Sequence, residues 1–347
     1  MPEELKLLPE PEFAFPPHIK DSQSIKKMMW LVVIALIPTN IYAVYLFGVS
    51  AFVILLISVV SATAAEALFQ LLFKKPVTVS DGSAVITGLL LGMNIPHDIP
   101  LYIPAIGSFF AIIIVKQLFG GLGNNIFNPA LSAKAFLFFI WPVYVSPNIV
   151  NITTNTDKYI PESMLNNFLP ATIPFFSGIQ AISGETTDLN GKICGLLNTK
   201  ITINSLLLGN ISGCIGEISP LLLLIGGLFL IYKRIITWHI PVSYICTFAI
   251  FILIFYGFSG FLPPVKAMLF HLSSGSLLLG ALFMATDTVT SPVSAKGMII
   301  FGIGCGIITS IIRLWSIFPE DVCFAILLMN AAVPLIDNYT RPKIFGA

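Results

Sequence analysis

Between two strongly apolar halves of the chain lies the segment Pro174–Leu197, PFFSGIQAISGETTDLNGKICGLL. Its small residues, the Ser183–Gly184 pair and the adjacent Thr186 and Thr187 suit an exposed stretch that another group must approach closely. In a chain otherwise made for lipid, that is where chemistry would be placed. A second set of reactive groups lies in or beside the apolar stretches: Glu66, Asp81, Lys116, Lys134, Glu217, His271, Asp287, Arg313, Asp321 and Asp337. An unpaired charge at mid-bilayer costs a few kcal/mol, so an intramembrane carboxylate is a functional candidate.

Position sorts these groups. Asp81, Asp321 and Asp337 fall at the ends of apolar stretches, where headgroups and water are near and a capping role leads. Glu66 sits well inside SATAAEAL, and Asp287 closes FMATD. Glu66, Asp287 and Asp81 are therefore the candidates for an ion path. The competing expectation is internal pairing, with Lys116, Lys134 or Arg313 as partners. His271, alone among apolar neighbours, is expected to be satisfied by a backbone carbonyl. The run from Lys116 to Ala130, KQLFGGLGNNIFNPA, is dense in glycine and asparagine. It suits a packed re-entrant turn or a ligand pocket, since asparagine bonds without charge. With no βαβ context, its glycines carry no nucleotide fingerprint.

The elements that must hold these residues are membrane helices. Of 347 residues, 56% are hydrophobic and only 10% charged, against about a quarter charged in a soluble domain. The net charge of +1 gives no case for nucleic acid. The polar, proline-rich start lacks the short apolar core and cleavage site of a signal peptide, so the N-terminus is expected to be retained and cytoplasmic. The five cysteines contain no CxxC pair, so no metal centre is expected from them. Four lie in apolar runs, where burial is the expected role; Cys194 lies in the central segment.

Ten apolar stretches approach the length of a span, about 20 residues: 28–47, 51–72, 82–95, 100–118, 127–145, 206–232, 240–258, 264–285, 298–315 and 321–336. The third is too short to cross alone, and glycines and Pro220 interrupt the sixth. Broken helices are tolerated in a bilayer only where the freed backbone faces protein or a cavity, and they point to binding sites. Lys and Arg at 20, 26, 27, 74, 75, 116, 233, 234, 296, 341 and 343 all fall on one side if the N-terminus is inside. That places both termini in the cytoplasm and the 146–205 segment outside.

The halves also match. Ser80-Asp81-Gly82-Ser83 and its apolar continuation correspond to Ser273-Ser274-Gly275-Ser276 about 193 positions later, and Asn128-Pro129 falls opposite Pro319-Glu320-Asp321. Five spans per half imply an inverted-topology repeat. The expected fold is all-α: about ten transmembrane helices in two inverted five-helix repeats with broken helices. Its divisions are a cytoplasmic segment 1–27, repeats at 28–145 and 206–336, an extracytoplasmic loop 146–205 and a cytoplasmic tail 337–347.

KQLFGGLGNNIFNPALSAKAF, FMATDTVTSP and IRLWSIFPEDVCFAILLMNAAVPLIDNYTRPK resemble the RnfD subunits of Rnf electron-transport complexes. They are more distantly similar to NqrB of the sodium-pumping NADH:quinone oxidoreductase. The resemblance runs from position 17 to the end. It implies a ten-span subunit carrying FMN esterified to threonine in a motif Asp-x-x-Ser/Thr-Gly-Ala-Thr. A flavin transferase attaches the flavin outside the cytoplasm. It implies a complex moving electrons between ferredoxin and NAD with Na⁺ or H⁺ translocation. Its partners would be a second FMN-bearing subunit, iron–sulfur subunits and other membrane subunits, and a second, noncovalent flavin is a further expectation.

On this chain Ser183-Gly184-Glu185-Thr186 takes the motif's place, which makes Thr186 the expected covalent FMN site and Thr187 the alternative acceptor. Two positions depart: Gln180 stands for the aspartate and Glu185 for the alanine. The first removes a carboxylate from transferase recognition. The second sets a negative charge beside the FMN phosphate, a modest repulsion in an exposed loop. An NqrB-like subunit, a flavin-free transporter and a cofactor-less scaffold are the alternatives on the same fold.

Overall fold

A computed structural model describes residues 24–145, 214–259, 263–273, 275–315 and 320–340, and every regular element among them is helical. Helix α1 (Ile25–Phe47) starts where Ser24 Oγ accepts from the Lys27 N–H at 3.2 Å. Gly48, at φ +74°, turns the chain directly into α2 (Val49–Leu72). After the short turn Val79–Asp81, Gly82 takes φ +85° and opens α3 (Ser83–Met93). Eleven residues at 1.5 Å each reach about 16 Å, roughly half of a bilayer's hydrocarbon core. Asn94 then ends α3, its backbone and side-chain N–H groups both donating to Leu90 O, and Pro96 follows.

Helix α4 (Tyr102–Phe109) continues as a π-helical stretch, Phe110–Gln117. Helix α5 (Pro129–Ile140) carries Pro129 in its first turn and Asn128 as its cap, Oδ1 accepting from the Ala130 and Leu131 N–H groups. The described part of the second half begins at Cys214. It contains α6 (Pro220–Tyr232), α7 (His239–Ser259), α8 (Pro264–Ser273), α9 (Leu277–Leu279) continuing as π-helical Gly280–Met284, α10 (Ala295–Trp315) and α11 (Asp321–Thr340).

Five described helices, α1, α2, α7, α10 and α11, are long and apolar enough to cross a membrane, and α8 with α9 makes a broken sixth. The chain is an all-α integral membrane protein. Each of the ten apolar stretches contains helix, but the third to sixth are short. The fifth stops at Ile140, because Pro142 supplies no N–H to carry α5 onward. In the sixth, α6 starts at Pro220, after the turn Ile215–Glu217, and residues 206–213 lie outside the described residues. The repeat has a backbone counterpart: Gly82 and Gly275, 193 positions apart, both take positive φ immediately before a broken helix.

Outward faces carry Ile34, Ile37 and Ile41 on α1 and Phe52, Leu56 and Val60 on α2, as a lipid-facing surface requires. Inside, Leu36, Ile54, Leu91, Met93, Tyr244, Phe248 and Phe301 are sealed in one core. Close helix approach depends on glycine. A Cβ on Gly88 of α3 would lie 2.5 Å from Ser58 O and 2.8 Å from Val59 Cα, both backbone atoms of α2. Gly226 of α6 meets Ala35 O of α1 in the same way.

Gly88→Ala is therefore expected to lower thermal stability in detergent by about 1–3 kcal/mol, the usual cost of overpacking. Gly257→Ala, where nothing lies within 4 Å of an added methyl, is the matched control and should leave the melting temperature unchanged or slightly higher.

Candidate functional site

The π-helical stretch that ends at Gln117 turns both Lys116 and Gln117 inward; such bulges re-aim side chains at functional positions. Lys116 is 2% exposed and Glu66, facing it from α2, 1%. Lys116 Nζ donates to Glu66 Oε1 at 2.8 Å and to Ser83 Oγ at 2.6 Å. Gln117 Nε2 donates to the same carboxylate oxygen at 2.8 Å, and Gln70 Nε2 approaches it at 3.5 Å. Ser83, the first residue of α3, passes the chain on: its Oγ and N–H both donate to Asp81 Oδ1, at 2.6 and 2.8 Å. Glu66 and Asp81, fifteen residues apart in sequence, thus belong to one hydrogen-bonded line through Lys116 and Ser83.

Burial of a lone charge costs several kcal/mol, and an ion pair with added hydrogen bonds offsets that. The pairing expected for Glu66 is therefore realised, with Lys116 as partner. One atom stands apart: Glu66 Oε2 is buried and has no hydrogen-bond partner in the structure.

Asp287 is half-buried after the second broken helix, where it accepts from the Val289 N–H and the Thr290 hydroxyl, each at 3.3 Å. No hydrogen bond joins it to Glu66; it lines a cavity that Lys116, the partner of Glu66, also lines. Lys116, Ser83, Asn125, Asn128, Thr286 and Asp287 are among the polar side chains that line this cavity of about 120 Å³, together with apolar side chains such as Phe283. The asparagine-rich run after Lys116 is thus both a packed turn and part of a pocket wall.

A second buried pair joins the two halves. Lys134 Nζ of α5 meets Glu320 Oε2 at 2.5 Å and Asn94 Oδ1 at 3.5 Å. Lys134 and Glu320 are 1% and 7% exposed. Around them, Asn128 Nδ2 donates to Met284 O at 3.2 Å, and Asn94 Nδ2 touches Met284 Sδ at 3.5 Å. The inner ends of both broken helices therefore meet beside Lys134. Sequence alone assigned Lys134 only a partner's role and Glu320 only a place in the repeat. The available signal was a lysine inside an apolar run, ALSAKAFLF, and a glutamate immediately before one, FPEDV.

A third pair corrects the expectation for Asp321. It is buried, not bathed by headgroups: Arg313 Nε donates to its Oδ2 and Arg313 Nη1 donates to His271 O at 2.7 Å. The reason is Arg313, which must be satisfied inside the helix bundle and stacks over Phe248. His271 also departs from expectation, since its Nε2 is partnered by the Tyr256 hydroxyl at 3.1 Å and not by a carbonyl. Asp81 and Asp337 keep their terminal roles, Asp337 accepting from the Val293 N–H at 3.2 Å. Among the described cysteines Cys305 and Cys323 are buried, Cys214 is half-buried, and Cys246 faces outward on the lipid-facing side of α7. Ser183, Gly184, Thr186 and Thr187, with Gln180, Glu185 and Cys194, lie outside the described residues.

Comparison with known proteins agrees with this architecture along nearly the whole chain. The profile of the NQR2, RnfD, RnfE family matches residues 13–346. The D subunit of the Na⁺-translocating ferredoxin:NAD⁺ oxidoreductase complex of Acetobacterium woodii is 45% identical over 335 residues, 95% of this chain and 93% of its own. The D subunit of the proton-translocating ferredoxin:NAD⁺ oxidoreductase complex of Clostridium ljungdahlii is 42% identical over 332 residues, 95% and 94% of the two chains. The D subunit of the ion-translocating oxidoreductase complex of Stutzerimonas stutzeri is 39% identical over 330 residues, covering 93% and 92%. With its broken membrane helices and buried ion pairs, this chain belongs to the NQR2, RnfD, RnfE family.

Proposed function

We propose that this chain is a D-type membrane subunit of an ion-translocating ferredoxin:NAD oxidoreductase complex and relays electrons between neighbouring subunits. The observation that supports this best is the near-full-length similarity to D subunits of such complexes, in a fold whose charged residues cluster at the breaks of its membrane helices. The partners are other membrane subunits, a second FMN-bearing subunit and iron–sulfur subunits. Both termini lie in the cytoplasm and the 146–205 segment outside, the arrangement favoured by the lysines and arginines.

Thr186 is the proposed attachment point of FMN through a phosphoester, made by a flavin transferase that activates the donor. Ser183 and Gly184 leave room for the ring system and the transferase, and Thr187 is the neighbouring hydroxyl. When bound, the flavin supplies one- and two-electron chemistry that no side chain of this protein offers. The protein's part is to present the threonine, hold the loop outside, and keep water and ions from crossing beside the electron path. A second, noncovalent flavin belongs to the same reading.

Glu66, Asp81 and Asp287 are the proposed ion-path residues. Glu66 contributes a carboxylate oxygen with no partner, Asp81 lies nearer the surface on the same hydrogen-bonded line, and Asp287 stands across the cavity. A line of this kind can hold a cation or a proton on Glu66 while Lys116 keeps the carboxylate from being stranded.

Two outcomes check this reading. Co-expressed with its flavin transferase, the purified chain should fluoresce as a flavoprotein band on a denaturing gel, with an FMN-sized adduct on Thr186 by peptide mass spectrometry. Thr186→Ala should abolish the band; its persistence through an adduct on Thr187 would move the acceptor. A chain without flavin, beside a transferase proven active on another substrate, would favour the scaffold. Separately, Lys116→Met should destabilise the chain by about 3–5 kcal/mol, because it strands a buried carboxylate. Glu66→Gln in the same background should restore most of that loss, read as thermal unfolding in detergent.

A further inference from the structure

Helices α2 and α6 end in the same backbone motif, and each carries a basic residue where the backbone favours glycine. At the end of α2 the Lys75 N–H donates to Gln70 O at 2.8 Å and the Lys74 N–H to Leu71 O at 3.2 Å. At the end of α6 the Ile235 N–H donates to Leu230 O and the Arg234 N–H to Ile231 O, both at 3.0 Å. This pair of bonds requires a left-handed φ, which glycine enters freely. Here Lys74 takes φ +54° and Arg234 φ +57°, and among the described residues no other non-glycine does so. The helix dipole favours a cation near a C-terminus, but it does not call for one at the strained position.

Both motifs lie at one end of the bundle, on either side of α1. The Trp30 indole N–H donates to Ser80 O at 3.4 Å, in the turn that follows Lys75. Met28 and Met29 line one cavity with Leu230, Ile235 and Ile236. Lys26 and Lys27, in the first turn of α1, therefore stand between Lys74–Lys75 and Lys233–Arg234. All six cations are exposed, and none forms an ion pair among the described residues. Asp81, the acid of the neighbouring turn, is taken by Ser83.

The lysines fold back toward the apolar surface. Lys75 Nζ lies 5.5 Å from the Phe69 ring, and Lys233 Nζ lies 5.8 Å from the Tyr232 ring and 6.0 Å from that of Phe229. These ammonium groups sit over the last turns of their helices, beside the exposed Leu72, Phe73 and Tyr232. Between them α1 turns Trp30, Ile34, Ile37 and Ile41 outward. A molecule with an anionic head level with the cations and apolar chains along that stripe satisfies both surfaces. A water-soluble acidic protein would leave the stripe unused.

We propose that this end of α1, α2 and α6 binds an anionic phospholipid, its phosphate among the six cations and its acyl chains on the outer face of α1. The lipid would tie the ends of α2 and α6 to the start of α1, so its binding raises the stability of the folded chain.

The test reads lipid retained by the full chain in native mass spectrometry, and its melting temperature in mixed micelles. Phosphatidylglycerol, phosphatidylcholine and inorganic phosphate are the probes. The wild-type chain is expected to retain phosphatidylglycerol in preference to phosphatidylcholine and to melt higher with it, with no response to inorganic phosphate. Lys74→Gly combined with Arg234→Gly relieves both backbones and removes two charges. It should melt no lower than wild type in phosphatidylcholine, yet bind phosphatidylglycerol about twenty-five times more weakly, about fivefold for each cation. If that variant does not fold, Lys75→Gln with Lys233→Gln is read instead, with the same weakening expected. A role limited to ending the helices predicts higher melting in every micelle and an unchanged lipid preference, and that result overturns the proposal. An equal response to inorganic phosphate overturns it in favour of a free-anion site. A wild-type chain without lipid preference also overturns it; if the glycine variant then melts lower in phosphatidylcholine, acidic residues of the chain itself are the occupant.

Discussion

A buried charge in a lipid-embedded bundle must find its counter-charge inside the protein, and the architecture is arranged around that need. Three cations among the described residues, Lys116, Lys134 and Arg313, each meet a carboxylate at close range: Glu66, Glu320 and Asp321. None of these pairs is local in the sense of one helix turn. Lys116 and Glu66 are 50 residues apart, and Lys134 and Glu320 belong to opposite halves of the chain. Pairs of this kind add little net stability over well-packed apolar residues. Breaking one by removing a single partner is costly, because the other charge is left buried and uncompensated.

The breaks follow from the same constraint. A helix that stops within the bilayer frees backbone groups that only protein can satisfy. Here asparagine side chains do it: Asn94 closes α3, Asn128 caps α5 and donates to Met284 O, where the second broken helix ends. The glycines allow the approach. Gly82 and Gly275 reverse the chain before each broken helix, and Gly88 presses α3 onto the α2 backbone. The result is a helix bundle in which the ends of short helices carry buried polar and charged groups.

The helical class, the membrane and the positions of the apolar stretches were legible in composition and hydropathy, because lipid forces length and apolarity on each segment. The two matched glycine turns were legible too, at Gly82-Ser83 and Gly275-Ser276, since only a few residue types tolerate a positive φ. Pair identities were not. Glu66 had three cations to choose from, and nothing in spacing distinguishes Lys116 from Arg313 across 50 or more residues. The π-helical turn that aims Lys116 inward has no sequence signature, and Asp321 read as a surface cap until Arg313 was seen beside it. His271 found a tyrosine hydroxyl because α7 brings Tyr256 against α8, a tertiary fact. The proposed flavin loop was legible only as a run of small residues and threonines.

The proposed role of this subunit is to join electron flow and ion movement. The most direct measurement compares the purified complex with the same complex assembled without this chain, both in sealed vesicles, while ferredoxin-driven NAD reduction is followed alongside the ion gradient. No gradient is expected to form without the chain, even if partial electron transfer survives among the remaining subunits. A full gradient built in its absence would contradict the claim.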